Sequence, residues 1–317
     1  MSHYDDIRNR IERQMVPLPI LFRDDLSIDH AGMAAFVEWQ IENGTTNFCL
    51  TFTYSQLDFI SREEIVDITR NVMEVVKDEA VFISCTGGGP VHECIETAQQ
   101  IEATGCHATF IHLPEHCLQN SFMAGDIYVK YIRDVAAESK IPLLAVALGV
   151  PGTSPIETML PLSRLEELCA DEQFIGIKDD IYVLDNRQEI SYALQGRMGV
   201  TGGGIFAHYI FFHHLPNQGE FSGIYDPQRG HRMYQLLDEG DYQQVIRMMH
   251  EPLQGSLQDP PHWMAQNNVV YYGMGFAETY RMRSPLPTAT REQAECILQH
   301  MRNNPTHFER VDPERKP

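Results

Sequence analysis

The sequence predicts an α/β protein, a (β/α)8 TIM barrel that is followed by a C-terminal appendage of three helices. Short apolar segments alternate with longer amphipathic segments, which is typical of repeated βα units and a parallel sheet. Eight such units can be counted, and this number favours a closed barrel over an open doubly wound sheet. The chain has 317 residues, which is enough for a barrel of roughly 250 residues with additions.

The predicted strands are short and come at regular intervals. They span residues 16–22, 47–52, 81–85, 108–112, 143–147, 174–177, 198–201 and 223–225. The amphipathic segments after them predict helices at 29–43, 62–76, 91–104, 126–139, 155–169, 185–194, 206–214 and 228–238. Ser61 and Glu64 form the pattern of a capping box, and Gly44 and Gly105 follow predicted helix ends.

Three further helices, at 242–257, 261–280 and 291–302, lie beyond the eighth unit. Stretches rich in Pro, Gly and Asp separate them. We therefore expect an N-terminal extension at 1–13, the barrel at 14–240, a helical region at 241–302 and a polar, frayed tail at 303–317.

The composition argues against nucleic-acid and membrane partners. The chain carries 24 Lys and Arg against 44 Asp and Glu, a formal charge of −20, which repels phosphate backbones and anionic lipid. No run of about 18 apolar residues is present, and the first residues are polar, unlike a signal peptide. The seven cysteines lack paired spacing, so we expect free thiols in a reducing cytoplasm.

The candidate nucleophile is Lys178, which ends the otherwise apolar sixth strand. Active sites of such barrels gather at the C-terminal ends of the strands. Alternation places Lys178 on the same side as Gly176, where the missing side chain leaves room for the lysine stem if that side faces the barrel axis. Burial disfavours the ammonium, and only a neutral amine can attack a carbonyl to form an imine. The alternative is a lysine held charged by Asp179 or Asp180, although position 179 should point away from the axis.

Several segments in the same order resemble the dihydrodipicolinate synthase / N-acetylneuraminate lyase family of Schiff-base aldolases. The resemblance runs from about residue 16 to residue 300 and rests on the segments 36–44, Thr86-Gly-Gly-Gly89, Val150-Pro-Gly152, Gly176-Ile-Lys-Asp179, Tyr272-Gly-Met-Gly275 and Arg283-Ser-Pro-Leu-Pro-Thr288. It implies the barrel with three C-terminal helices and a homo-oligomer, a tetramer or a dimer. It also implies chemistry on a 2-oxo acid such as pyruvate, with Lys178 forming the imine and without a metal or an organic cofactor.

The sequence departs from the family pattern at positions that decide the reaction. Thr51-Phe-Thr-Tyr-Ser55 aligns with the family motif Gly-Thr-Thr-Gly-Glu, so Thr53 retains the threonine that binds the pyruvyl carboxylate, while Phe52 replaces a threonine of the proton relay. Leu148 stands where the family has its acid/base tyrosine, and Thr153 where it has an arginine for a second substrate carboxylate. True dihydrodipicolinate synthase activity is therefore not expected.

Other residues must replace the missing relay. His116 is the first candidate, because imidazole exchanges protons near neutral pH; a solvated loop histidine is the alternative. Tyr54 and Glu115 are reserves. Phe52 would make the pocket apolar and suited to a hydrophobic or aromatic aldehyde, or it belongs to the core.

The remaining predicted site residues lie on loops that follow the seventh and eighth strands. Gly202 and Gly203 would let the backbone approach the substrate or the imine, and Ile224 would line the pocket. A glycine run can also bind phosphate, but neither 87–89 nor 202–204 continues as a P-loop or a dinucleotide motif. Histidines cluster at 112, 116, 208, 213 and 214, but their spacing does not favour a metal site.

The sequence thus predicts a cytoplasmic lyase that makes or breaks a C–C bond of a 2-oxo acid, with an aldehyde as second substrate. Two alternatives remain open. One is a hydratase or dehydratase that uses the same imine. The other is a barrel that has lost catalysis and serves as a binding or regulatory protein.

Overall fold

Eight parallel strands close into a barrel in the order β1 to β8, which confirms the predicted fold class. The computed structural model describes residues 2–51, 54–112, 121–148, 160–180, 184–202, 210–249, 261–305, 308 and 310–317. The strands are β1 Arg13–Pro17, β2 Asn47–Cys49, β3 Val81–Cys85, β4 Ala108–Ile111, β5 Leu143–Leu148, β6 Phe174–Asp180, β7 Gly199–Gly202 and β8 Gln218–Phe221. Because β1 pairs with both β2 and β8, the sheet has no free edge.

Helices cover the outside of the barrel and continue into the C-terminal region. Within the described residues they are α1 His3–Arg10, α2 His30–Glu42, α3 Arg62–Val76, α4 Val91–Ala103, α5 Ser121–Glu138, α6 Leu162–Leu168, α7 Leu184–Ala193, α8 Pro227–Glu239, α9 Tyr242–Met249, α10 Trp263–Gly273 and α11 Arg291–Asn303. The predicted capping box is present, since the Ser61 hydroxyl accepts from the Glu64 N–H and the Glu64 carboxylate accepts from the Ser61 N–H. Among the described residues, no helix is long and apolar enough to cross a bilayer.

The first strand lies earlier than predicted. It spans Arg13–Pro17 instead of 16–22, and the apolar stretch after it, Leu18 to Phe22, is buried as a loop. Pro17 is the last residue of the strand, and Pro19 has no N–H group with which a sheet ladder could continue. A run of buried apolar residues has the same sequence pattern in this loop as in a buried strand, so the sequence alone does not distinguish the two.

The eighth strand also lies earlier than the predicted 223–225. It spans Gln218–Phe221, in which Gln218 and Glu220 are polar yet only 5% and 3% exposed. Because its outward side chains are polar, this strand lacks the apolar pattern that predicts the other seven strands. The partner of these two side chains is a buried arginine on α7, described below.

Both ends of the chain contact the rest of the protein. The N-terminal extension contains α1, capped by Ser2, and Ile7 and Ile11 are buried in the core. The polar tail contacts α10 at two points. The N–H of Asp312 donates to the Gly273 carbonyl at 2.8 Å, and the Arg315 guanidinium lies 4.7 Å from the centroid of the Tyr272 ring.

The C-terminal region is fastened to the barrel by Arg283. Its two Nη atoms lie 2.8 and 2.7 Å from the Glu64 carboxylate oxygens, and its Nε donates to the Leu26 carbonyl at 3.0 Å. Hydrogen bonding from Arg283 lowers the pKa of Glu64. This bidentate pair lies on the outside of the barrel.

We predict that alanine at Gly176 destabilises the protein, whereas alanine at the neighbouring Gly199 does not. A Cβ at Gly176 would lie 2.5 Å from the Gly199 carbonyl oxygen, which belongs to rigid backbone, whereas a Cβ at Gly199 would meet its nearest atom at 3.5 Å. Overpacking of this kind costs about 1–3 kcal/mol. Urea unfolding of G176A and G199A measures the difference, and equal midpoints would contradict the prediction.

Candidate active site

Lys178 lies in the wall of the barrel near the C-terminal end of β6. It is only 7% exposed, and it stands in register with Val146 on β5 and Thr201 on β7. Its Nζ lies 5.5 Å from the centroid of the Phe221 ring on β8. The amine is therefore not in bulk solvent, which is the condition that imine chemistry requires. Its role as nucleophile stays a prediction.

The side chains around Lys178 belong to the inner face of the barrel. A Cβ on Gly219 would lie 3.6 Å from the Thr201 methyl group and 3.8 Å from the Met15 methyl group, so these two side chains face a common space. Gly219 and Thr201 are register partners, and Thr201 is in turn the partner of Lys178. Alternation then places Lys178 on this inner face.

Cys85, on β3, is close enough to Lys178 for the charge of the lysine to affect the pKa of its thiol. It is 1% exposed, and burial raises the pKa of its thiol to about 12, although a hydrogen bond from the Gly87 backbone and the charge of Lys178 act in the opposite direction. The group is therefore a neutral thiol at physiological pH. It acts as part of the wall of the site and not as a base.

A buried ion cluster lies on the other face of the sheet, behind Lys178. Arg187 on α7 is fully buried, with Nη1 3.4 Å from Asp179 Oδ2 and Nη2 2.9 Å from Glu220 Oε1. Asp179 thus points away from the axis as expected, and its carboxylate pairs with Arg187. The side chain of Asp180, the other acid considered as a partner of Lys178, lies outside the described residues.

The same cluster explains why position 202 is a glycine. A Cβ on Gly202 would lie 1.9 Å from Glu220 Oε2, so any side chain there would displace the carboxylate. Packing against the Glu220 carboxylate therefore explains the glycine at position 202. The predicted substrate contact of Gly202 stays a prediction, and Gly203 lies outside the described residues.

Tyr54 belongs to a group of buried and partly buried phenols between the barrel and the C-terminal helices. Its hydroxyl is hydrogen-bonded to that of Tyr271 on α10, and the Tyr225 hydroxyl donates to the Asn267 side chain. Burial raises the pKa of Tyr54, Tyr225 and Tyr271 well above the usual value. These phenols are neutral at physiological pH and can donate hydrogen bonds, so Tyr54 does not have the ionisation of a general base.

The loops on both sides of the predicted pocket are held by buried polar groups. The Ser55 hydroxyl accepts from the Thr51 N–H at 3.0 Å and donates to the Leu18 carbonyl at 2.7 Å. The Gln40 amide donates to the Ile224 carbonyl at 3.0 Å. Thr51, Ser55 and the loop that carries Ile224 are therefore anchored to the core.

Several predicted site residues lie outside the described residues, namely Phe52, Thr53 and His116. Leu148 ends β5, in register with Asp180, but its side chain is likewise not described. Their roles remain predictions. In the part of the chain that is described, no three His, Cys, Asp or Glu side chains are arranged to hold a metal ion.

Sequence reasoning missed three residues at this site: Phe221, Cys85 and Arg187. Phe221 was missed because the eighth strand was placed too late. Cys85 carries no local signal that separates it from the other apolar thiols. Arg187 stands on a helix nine residues after Lys178 in the sequence, and a run of polar side chains on the outer face of β8 was the only sequence signal for it.

Comparison with known proteins gives one family. The model for the "Dihydrodipicolinate synthetase family" matches residues 10–302. The 4-hydroxy-tetrahydrodipicolinate synthase of Phocaeicola vulgatus is 26% identical over 258 residues, covering 77% of this chain and 80% of that protein. The enzyme of the same name from Psychrobacter arcticus is 24% identical over 200 residues, which are 63% of this chain and 64% of that protein. The chain thus spans less than two-thirds of this second relative, and it spans 51% of the one from Bartonella quintana.

Solved structures share the fold over nearly the whole chain. N-acetylneuraminate lyase from Fusobacterium nucleatum superposes with a TM-score of 0.78 at 14% identity, covering 94% of this chain and 99% of that one. Dihydrodipicolinate synthase from Aquifex aeolicus superposes with a TM-score of 0.76 at 16% identity, with the same coverage. At these identities the likeness shows a common architecture.

We predict that Cys85 resists alkylation in the native protein. At mildly alkaline pH its buried, neutral thiol should react with iodoacetamide at least about a hundredfold more slowly than Cys296, which is exposed on α11. Peptide mass spectrometry measures both rates, and unfolding in guanidinium should make them similar. Equal rates in the folded protein would show that the thiol is accessible.

Proposed function

The chain belongs to the dihydrodipicolinate synthetase family, and we propose that it is a class I aldolase-type lyase in which Lys178 forms a Schiff base with a 2-oxo acid. The observation that carries this proposal is the lysine itself. It is 7% exposed and stands on the inner face of the barrel, near the strand ends where barrel enzymes have their active sites. Family membership and the placement of Lys178 are independent lines of support.

The chemistry starts with addition of the neutral Lys178 amine to the C2 carbonyl of the 2-oxo acid. The carbonyl oxygen takes up two protons and leaves as water, and a C2=N bond replaces C2=O. In the cleavage direction a base removes the proton of the C4 hydroxyl, and the electron pair of the C3–C4 bond moves toward the protonated imine. An aldehyde leaves, and an enamine remains on the enzyme; protonation at C3 and hydrolysis release the 2-oxo acid.

Thr53, with nearby backbone N–H groups, is proposed to bind the carboxylate of the 2-oxo acid. His116 is proposed to move the proton, since Tyr54 is a neutral phenol engaged with Tyr271. The hydrogen bond between Tyr54 and Tyr271 then holds the loop. No metal or organic cofactor is needed for this sequence of steps.

The residues near the amine favour an apolar second substrate. Val146 is a register partner of Lys178, the Phe221 ring lies 5.5 Å from its Nζ, and Cys85 is a neutral thiol; Phe52 would add a further apolar side chain. Thr153 stands at the position that has an arginine in the family pattern. We therefore propose a hydrophobic or aromatic aldehyde as partner of pyruvate and a reaction other than dihydrodipicolinate synthesis.

The proposed setting is that of the family. We propose a cytoplasmic homo-oligomer, a tetramer or a dimer, that acts on small molecules. The distinction between C–C cleavage and hydration or dehydration depends on the products, since both reactions pass through the same imine. Release of a free aldehyde together with pyruvate identifies the lyase.

We predict that borohydride together with pyruvate links one reduced pyruvyl group to the peptide that contains Lys178. The variant K178R keeps the positive charge and the long stem but has no nucleophilic amine, so it should form no adduct and lose activity by about a thousandfold or more. Mass spectrometry of the digested protein locates the adduct. Labelling at another lysine, or no labelling by any of several 2-oxo acids, would overturn the proposal.

We predict a different behaviour for H116N. If His116 moves the proton, the variant should still be trapped by borohydride, but exchange of the C3 protons of pyruvate with D2O should slow by about 10²- to 10⁴-fold. Proton NMR of pyruvate follows the exchange, and K178R serves as the control in which exchange is absent. Wild-type exchange in H116N would assign the proton transfer to another group.

A further inference from the structure

The most unusual feature outside the inner face of the barrel is the charge buried behind Lys178. Arg187 is completely buried, and its two acidic partners, Asp179 and Glu220, have side chains that are 0% and 4% exposed. The cluster contains one cationic and two anionic side chains, so its formal charge is −1. Ions in such surroundings are screened much less than surface ions.

Each member of the cluster is connected, through the chain or through one hydrogen bond, to Lys178 or to a residue next to it. Asp179 follows Lys178 in the chain. Arg187 Nη1 donates to the carbonyl of Thr201 at 3.4 Å, and Thr201 is the register partner of Lys178. Glu220 precedes Phe221, whose ring contacts the amine. The cluster therefore links β6, β7 and β8, the strands that carry Lys178, Thr201 and Phe221.

Neighbouring residues are adapted to this cluster. The amide oxygen of Gln218 accepts from Arg187 Nη2 at 3.0 Å and from the Ser191 hydroxyl at 3.2 Å. The Phe212 ring covers the guanidinium at 5.8 Å. A buried ion group of this kind is only weak evidence of added stability, because apolar residues that pack well often stabilise a core equally or better.

We propose that the Arg187–Asp179–Glu220 cluster is a positioning device that sets the charge balance at Lys178. This inference rests on the proposed imine function. Arg187 compensates the carboxylate next to Lys178, so the amine is not locked as an ammonium by Asp179. The second carboxylate, on Glu220, leaves one net negative charge that favours the protonated imine, the form that draws electrons from the C3–C4 bond.

Other titratable groups near Lys178 lie on the remaining elements around it. On the inner face, Cys85 on β3 is a neutral thiol, and His112, 4% exposed, follows β4. Val146 on β5, Thr201 on β7 and Phe221 on β8 do not titrate. Asp180 is next along β6, with its side chain outside the described residues. On the outer face, behind Lys178, lie the charged groups of the cluster.

The test is the pH dependence of borohydride trapping by pyruvate, measured as a rate across neutral and alkaline pH. Only an unprotonated amine adds to a carbonyl, so the rate is expected to rise with pH, and this rising limb is compared between the variants. E220Q removes one negative charge with little change of shape, so the ammonium is less stabilised and the rising limb should move to lower pH by about 0.5–1 unit. D179N removes the same charge at the other end of the cluster and should move the limb in the same direction.

Two controls separate charge from structure. R187K keeps the formal charge of the cluster, so the limb should stay in place even where the lysine costs stability. E64Q removes a partly buried carboxylate that pairs with Arg283 on the outside of the barrel, and it should also leave the limb unchanged. Thermal unfolding of all four variants shows how far stability itself changes.

The proposal is overturned if E220Q and D179N are trapped with the wild-type pH profile, since the cluster then acts only in stability. If E220Q does not fold, the pH profile of D179N alone decides the test. A wild-type protein that is not trapped at any pH would instead refute the imine function. A limb that moves equally in E64Q would show that the shift reports general destabilisation, and this also overturns the proposal.

Discussion

Charge sealed inside the wall of the barrel is the constraint on which much of this structure depends. A fully buried guanidinium must find anions and carbonyl oxygens close by, because it cannot return to water. Arg187 finds them on three consecutive strands, and the sequences of those strands follow from this. Asp179 turns outward, β8 carries Gln218 and Glu220 where other strands carry apolar side chains, and Gly202 has no side chain because a carboxylate occupies its place.

The barrel could be predicted from the sequence because its signal is repetitive. Apolar strands and amphipathic helices recur in the same order, and the predicted positions of β3 to β7 lie within a few residues of the observed ones. The first and last strands could not be placed in this way. Prolines end β1 inside an apolar stretch, and the partner of the polar side chains of β8 is distant in the sequence. Local periodicity contains no information about either contact.

The site was predictable to a smaller extent. Lys178 could be identified because an ammonium at the end of an apolar strand is exceptional, and the resemblance to a family supported it. Cys85 and Phe221 approach the lysine from other strands, and only closure of the barrel brings them there. Charge compensation by Arg187 is likewise a property of the folded state. It answers, for Asp179, the objection that an acid stands next to the lysine.

The phenol contacts between the barrel and helix α10 have an evolutionary consequence. Tyr54 and Tyr225 lie on loops of the barrel, yet their hydroxyls bond to Tyr271 and Asn267 of the C-terminal region. A shortened descendant that ended after α8 would lose both hydrogen bonds and would expose Phe36, whose ring packs edge-on against Tyr271, so apolar surface of the barrel would meet water. Gene fusions and recombination that preserve this fold must therefore inherit the barrel and its appendage as one unit.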